Sequence, residues 1–298
     1  MTTATSARGL ISTNQRCEET TMFDQYLNHY IDAGGINTHY VEEGKGQALL
    51  LLHGGGAGAD GVSNYSNNMP IYAKQGYRVI APDMVGFGRT DKPSPDGFDY
   101  TQATRTQHMI DFIEAMDLKD VYMVGNSMGG VTAAEVAQNR PDLIKKLVLM
   151  GAPLNISVED MVANKKNIGS VIHYDETEAG MRLLIDNLTF DYTPSDELVT
   201  YRFEAFSVEA TKQAYRTLMK WVAANGMHFS AEQLASFECT VLIVAGKNDV
   251  MVPFQKALEL ASLIPNAHCH FMPNCGHWCM MEYPELFCSV TNCFFVHA

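Results

Sequence analysis

The stretch "MVGNSMGGVTAAE", Met123 to Glu135, constrains this chain more than any other. It sets Ser127 between an apolar, strand-like run and a helix-like run, with Gly125 two residues before and Gly129 two residues after. A plain chain reversal has no need of small residues at both places. A strand that turns at once into a helix does, because Cβ atoms at positions −2 and +2 would collide across so sharp a turn. The same turn lifts the serine Oγ off the sheet edge, and the helix N-terminus behind it favours developing negative charge. Taken alone, the motif leaves two readings open: a nucleophile, or an ordinary tight turn.

The rest of the chain supplies the sheet that such a turn requires. Residues 29–44, "HYIDAGGINTHYVEEG", alternate apolar and polar residues around Gly34-Gly35 and predict a hairpin. "ALLLLHGGG" and "YRVIAPD" are short, continuously apolar and end in Gly or Asp, the pattern of strands buried on both faces. A helix-sized "NYSNNMPIYAKQG" lies between them. The alternation continues with "TQATRTQHMIDFIEAMD", which puts Ile110, Ile113 and Met116 on one helical face, then with the strands "DVYMVGNS" and "KKLVLMGAP". It resumes with "CTVLIVAGKND", "VPFQKALELASLI", "AHCHFMPNCGH" and a last helix, "EYPELFCSVTNCFFV". An antiparallel start followed by β-α-β units predicts an α/β fold, a mostly parallel sheet with helices on both faces.

Residues 154–237 break the rhythm. They contain several helices and no convincing strand, and so predict a helical lid inserted between sheet strands. "TPSDELVTYRFEAFS" suggests a capping box from Thr193 to Asp196 with Pro194 at the first helical position. "EATKQAYRTLMKWVAANG" places Ala214, Leu218, Trp221 and Val222 on one face and stops at Gly226. The expected organisation is a loose polar tail over 1–24, a core over 25–153 and 238–298, and the lid over 154–237.

A serine hydroxyl attacks poorly without a base, and the base needs an acid to orient it. Asp249 follows "TVLIVAGKN" and His277 follows "AHCHFMPNCG", so both fall at strand carboxyl ends on the same sheet edge as Ser127. A loop aspartate or one histidine of ten means little by itself. Three correct positions in the order Ser, acid, His decide for a catalytic triad. The tetrahedral intermediate needs two backbone donors: the N–H of Met128, directly after the nucleophile, and one from "HGGGAG", where Gly55 or Gly56 lets the backbone approach the substrate oxygen. The cluster "HCHFMPNCGHWC" gathers His268, Cys269, His270, Cys275, His277 and Cys279. It lacks a paired metal-ligand spacing with a second half elsewhere, so no metal and no cofactor are expected.

With these residues assembled, the sequence resembles the α/β-hydrolase superfamily from about Tyr30 to Val296. More closely, it resembles the meta-cleavage product hydrolases, through "HGGGAGADGVSNY", "GNSMGG", "DVMVP" and "CGHW". The resemblance implies an eight-stranded sheet and hydrolysis of the C5–C6 bond of 2-hydroxy-6-oxohexa-2,4-dienoates. The "GGAGA" version is most similar to members acting on carbazole-type, aminophenyl-bearing products. It further implies substrate-binding roles for Asn64, Asn126, Arg202 and Trp278, and a homo-oligomer. Arg202 from the lid would clamp the substrate carboxylate, the two asparagine amides would add hydrogen bonds, and Trp278 would wall the pocket. One departure is Val62, where many relatives carry an aromatic residue.

Charge bounds the partners. A formal net charge of −13 disfavours nucleic acid and anionic membrane surfaces, and requires a local cation for any anionic substrate. No apolar run reaches membrane-spanning or signal-peptide length, and seven scattered cysteines suit buried thiols in a cytoplasmic protein. A carboxylesterase or thioesterase with the same triad, and a ligand-binding protein on a hydrolase fold, are the competing readings. Epoxide hydrolases and dehalogenases are excluded, since those relatives use Asp where this chain has Ser127.

Overall fold

The computed structural model describes residue 23 and residues 25–298. Eight strands form one sheet: β1 (His29–Ala33), β2 (Ile36–Gly44), β3 (Gln47–Leu52), β4 (Tyr77–Pro82), β5 (Val121–Asn126), β6 (Ile144–Met150), β7 (Thr240–Gly246) and β8 (Ala267–Met272). Their spatial order is β1-β2-β4-β3-β5-β6-β7-β8. The β1–β2 hairpin is antiparallel, with Ala33 opposite Ile36, and Gly34 and Gly35 between them adopt φ of 65° and 88°. Glycine takes successive positive φ values without the Cβ penalty that most L-residues meet there. β2 meets β4 antiparallel, and every later pairing is parallel.

The apolar runs become the central strands for the expected reason. Leu49 to Leu52 are fully buried, as are Met123, Val124 and Leu147 to Met150, because helices cover both faces of the sheet. β8 lies at the edge, and His268, Cys269 and His270 are only partly covered there. Lys146 ties the C-terminal helix Pro284–His297 to the sheet, donating to the carbonyls of Phe294 (3.3 Å) and Phe295 (2.9 Å). Carbonyls of a last helical turn lack full intrahelical pairing, although Phe294 O also accepts from Ala298 N at 3.1 Å, so a buried ammonium there is stabilising.

Between β6 and β7 lie the helices Val158–Ala163, Lys165–Ile172, Glu178–Leu188, Asp196–Ser207, Glu209–Asn225 and Ala231–Ala235. Glu209–Asn225 buries Ala214, Leu218 and Val222 and ends on Gly226 at φ 68°. The start of Asp196–Ser207 differs from expectation. Its cap is Ser195, whose Oγ accepts from Leu198 N at 3.2 Å, and Thr193 and Pro194 lie outside the helix. Ser195 wins because its oxygen reaches the third helical N–H, which Thr193 would miss by two residues. The helix-sized run before β4 also splits, into Gly61–Tyr65 and Met69–Lys74. Pro70 lacks the N–H that a continuous helix would need there.

Of the polar tail read over 1–24, Phe23 alone is described. It is buried and stacks on Tyr201 with ring centroids 4.3 Å apart. Among the described residues no helix is long and apolar enough to cross a membrane.

Candidate active site

Parallel strands end on one edge, and the edge collects the chemistry. Ser127 follows β5 at φ 52° and ψ −121°, outside the regions that L-residues favour. Its neighbours explain how the turn survives. A Cβ on Gly125 would stand 2.4 Å from the Gly129 carbonyl oxygen. One on Gly129 would stand 2.4 Å from the carbonyl oxygens of both Leu52 and His53. Ser127 N donates to the Met150 carbonyl (2.9 Å), which locks the turn to β6. Ser127 is partly exposed between buried Asn126 and buried Met128.

Asp249 and His277 come together as expected. His277 Nδ1 lies 2.8 Å from Asp249 Oδ2, and both residues are buried. Asp249 Oδ1 accepts from the N–H groups of Met251 (2.8 Å) and Val252 (2.9 Å). These bonds fix the carboxylate, so Oδ2 receives Nδ1–H and His277 Nε2 is left for other work. Gly151, at φ 55°, packs under the imidazole, where a Cβ would come within 2.8 Å of the ring. The backbone N–H groups of His277 and Trp278 both donate to the Leu188 carbonyl, at 3.0 and 3.1 Å. The helical insertion therefore holds the segment that carries the histidine. Ser127 and His277 line the same cavity, and the described bond of the His277 ring runs to Asp249.

Gly54, Gly55, Gly56 and Met128 also line that cavity. A Cβ on Gly55 would meet Met128 Sδ at 2.9 Å and Met128 Cβ at 3.2 Å, whereas one on Gly56 would meet Arg202 Nη2 at 3.2 Å. Of the two glycines, Gly55 is the one pressed against the residue after Ser127.

The lining of the cavity includes a polar group. Arg202, on Asp196–Ser207, is fully buried. Its Nη1 donates to Asn64 Oδ1 (3.2 Å) and Ser63 Oγ (3.4 Å), and its Nη2 to the Ala57 carbonyl (3.1 Å). The guanidinium carbon lies 5.0 Å from the Trp278 ring centroid, a cation–π distance. Burial pulls the Arg202 pKa down to about 10, with the Asp60 carboxylate opposing, so the side chain is a cation at neutral pH. Arg202 Nε and Asn64 Nδ2 have no hydrogen-bond partner among the described residues. Asn126 is arranged differently from expectation: its Nδ2 donates to the Met150 carbonyl (3.3 Å), and Oδ1 is the atom without a described partner. Val62 is buried on the same short helix as Asn64.

Much of the remaining lining is apolar, with Met161, Ile168, Val171, Met219, Val222 and Met227 coming from the insertion. Sequence periodicity marks these positions as apolar but cannot say that they face a cavity instead of a core. The contributions of Gly151, the Leu188 carbonyl and Asp60 were also missed. Asp60 had a local signal, the D-x-x-S spacing of a helix cap. Among the described residues, no group of three or more His, Cys, Asp or Glu side chains is placed to hold a metal ion. Cys275 and Cys279 are buried with their sulfurs toward the Gly276 carbonyl.

A nucleophile-type serine on an elbow, a buried Asp–His pair after the last strands and a glycine loop after β3 define a serine hydrolase on an α/β sheet. Residues 47–284 match the family described as the alpha/beta hydrolase fold, and the chain belongs to it. It is 40% identical over 272 residues to the 2-hydroxy-6-oxo-6-(2'-aminophenyl)hexa-2,4-dienoic acid hydrolase of Metapseudomonas resinovorans, covering 90% of this chain and 91% of that one. It is 32% identical to a 2-hydroxymuconate semialdehyde hydrolase of Pseudomonas putida, over 91% of this chain and 95% of the relative. A solved serine hydrolase involved in carbazole degradation, CarC, superposes with a TM-score of 0.82 at 39% identity, covering 92% of this chain and all of that one. The meta-cleavage product hydrolase CumD from Pseudomonas fluorescens IP01 gives a TM-score of 0.81 at 30% identity, over 90% and 97%. Within the fold family, the chain belongs to the meta-cleavage product hydrolases.

Proposed function

We propose that this enzyme hydrolyses the C5–C6 bond of a 2-hydroxy-6-oxohexa-2,4-dienoate bearing an apolar, aryl-type C6 group, giving 2-hydroxypenta-2,4-dienoate and a carboxylic acid. The observation that carries the reading is Arg202, a fully buried cation in the same cavity as Ser127 and His277. In a chain of net charge −13, a desolvated guanidinium with an open Nε–H suits one kind of ligand, a carboxylate that enters the cavity. The dienoate carboxylate accepts from Arg202 Nε and Asn64 Nδ2, Asn126 Oδ1 accepts from a substrate hydroxyl, and Trp278 walls the chain. The apolar lining from the insertion receives the C6 substituent, in keeping with the aminophenyl substrate named for the Metapseudomonas relative.

The bound dienol ketonises, which places a proton on C5 and makes the departing fragment a stabilised carbanion equivalent. His277 Nε2 takes the Ser127 proton, and Oγ attacks the C6 carbonyl. The N–H groups of Met128 and Gly55 receive the oxyanion, C5–C6 breaks as the departing dienolate takes up the proton held by His277, and water activated by the neutral imidazole releases the acid. Asp249 holds the imidazole tautomer and stabilises its charged form. No step uses a metal or cofactor. Residues 154–237 act as the lid that supplies Arg202 and the apolar wall. The six described cysteines are unpaired, which supports a cytoplasmic setting, and the family resemblance supports a homo-oligomer.

The test is turnover of a panel of dienoates with aryl and alkyl C6 groups, run on the wild type and on Ser127→Ala. Aryl dienoates are expected to turn over fastest. Ser127→Ala is expected to lose roughly 10³-fold or more in kcat while still binding the dienoate in stopped-flow absorbance. Near-normal turnover by the variant would overturn the nucleophile assignment, and faster turnover of neutral esters than of any dienoate would favour the esterase reading.

A further inference from the structure

Asp60 is buried beside the cavity and is not one of the residues that line it. Its Oδ1 accepts from Ser63 N at 2.6 Å and its own N–H donates to Ser63 Oγ at 3.3 Å, a reciprocal cap on the short helix Gly61–Tyr65 that carries Asn64. Its Oδ2 accepts from Tyr201 OH at 2.7 Å. Tyr201 precedes Arg202 on Asp196–Ser207, so the two side chains leave that helix about 100° apart. One goes to Asp60 and the other to the cavity.

We propose that Asp60 and Tyr201 are positioning residues for the carboxylate clamp, one carboxylate setting both the helix that carries Asn64 and the helix that carries Arg202. The proposal rests on the clamp reading given above. Three further contacts bear on it. Phe23 stacks on the Tyr201 ring and shields this side of the helix. The helix backbone presses so closely on the loop before Asp60 that a Cβ on Gly58 would fall 1.9 Å from the Arg202 carbonyl oxygen. Arg202 Nη1 spans to both Asn64 and Ser63. A slight turn of the helix about its axis therefore moves the guanidinium against Asn64, and binding constellations tolerate only about 0.5 Å of such error. Asp60 makes no ion-pair contact with Arg202, whose Nε has no partner among the described residues, so the guanidinium keeps its Nε–H for the substrate. Burial, then the neighbouring Asp83, raise the Asp60 pKa, while the bonds from Ser63 and Tyr201 lower it. Those bonds help keep Asp60 an acceptor.

The experiment is a double-mutant cycle of Tyr201→Phe and Arg202→Gln, reading kcat/KM for an aryl dienoate and for p-nitrophenyl acetate, which has no carboxylate to clamp. Tyr201→Phe removes one hydroxyl and leaves the Asp60 cap and the ring stacking in place. It is expected to lower dienoate kcat/KM about tenfold and to leave the ester unchanged. In the Arg202→Gln background the same change is expected to cost nothing further, because positioning acts only through the arginine. Asp60→Asn, which keeps an acceptor for Ser63 and a partner for Tyr201, is expected to retain more dienoate activity than Asp60→Ala. Equal losses on both substrates, a full tenfold loss in the Arg202→Gln background, or no loss at all would overturn the proposal while the clamp stands. An Arg202→Gln variant that treats dienoate and ester alike would overturn the clamp and the positioning role together.

Discussion

Gly129→Ala adds a single methyl group at the elbow, and its consequence can be worked from distances. The new Cβ would stand 2.4 Å from the carbonyl oxygens of Leu52 and His53, the last residue of β3 and the one that follows it. Ordinary contact begins at 3.4 Å, so the end of β3 and the helix Met128–Asn139 must separate by about 1 Å. Neither side is a flexible side chain. Leu52 and His53 are fully buried, and Leu52 pairs with Gly125 in the sheet. Overpacking of this kind costs roughly 1–3 kcal/mol of stability. The catalytic cost is larger, because the shift falls between the Gly54–Gly56 loop and Met128, which supply the proposed oxyanion donors. A 1 Å misplacement costs on the order of 10²-fold in rate. The expected outcome is a fold retained by circular dichroism, a modest fall in Tm, and kcat reduced about 100-fold for dienoate and p-nitrophenyl acetate alike. Both substrates share the oxyanion, so both must suffer. A variant of normal kcat on either substrate would refute the argument that this glycine sets the distance between nucleophile and oxyanion loop.

Arg202→Gln should behave oppositely, cutting dienoate kcat/KM by about 30- to 1000-fold, or about 2–4 kcal/mol, with the ester barely changed; equal ratios would mark Arg202 as a structural charge. Dialysis against a chelator is expected to leave turnover unchanged, and a loss restored by zinc would reopen the mechanism. His53 and His108 are both held down to about 4 by burial, with Asp83 opposing at His53. Their folded pKa lies below the unfolded value, so the unfolded chain binds the extra protons, and stability present above about pH 6.5 is lost as pH falls toward 4. Each can remove up to about 1.4 kcal/mol per pH unit in that window. Urea midpoints taken from pH 7 to 5 should therefore fall, and a flat profile would show that these histidines are not buried neutral.

The sheet and the positions of the proposed triad were legible in the sequence because both are written locally. A strand buried on two faces is a short apolar run, and a residue at its carboxyl end lands on the common edge whatever the loops do. Ser127, Asp249 and His277 could thus be placed from strand ends alone, and Gly125 and Gly129 declared the turn through their missing Cβ atoms. Helix boundaries were less legible. Ser195 displaced Thr193 as a cap because the choice depends on which oxygen reaches a free N–H, a matter of a few ångströms and not of residue type.

What only the tertiary structure decided is where side chains separated by a hundred residues meet. Arg202 lies 138 positions from Asn64 and 76 from Trp278, and its hydrogen bonds, stacking and desolvation depend on how the inserted helices seat on the sheet edge. The same holds for Asp60 and Tyr201, 141 positions apart, and at shorter range the Asn126 amide is claimed by the Met150 carbonyl of the neighbouring strand. The apolar wall makes the division plain. Met161 and Met219 have the periodicity of core residues, yet they face a cavity, because hydrophobic spacing records which side of a helix avoids water and not whether protein or substrate fills the space beside it.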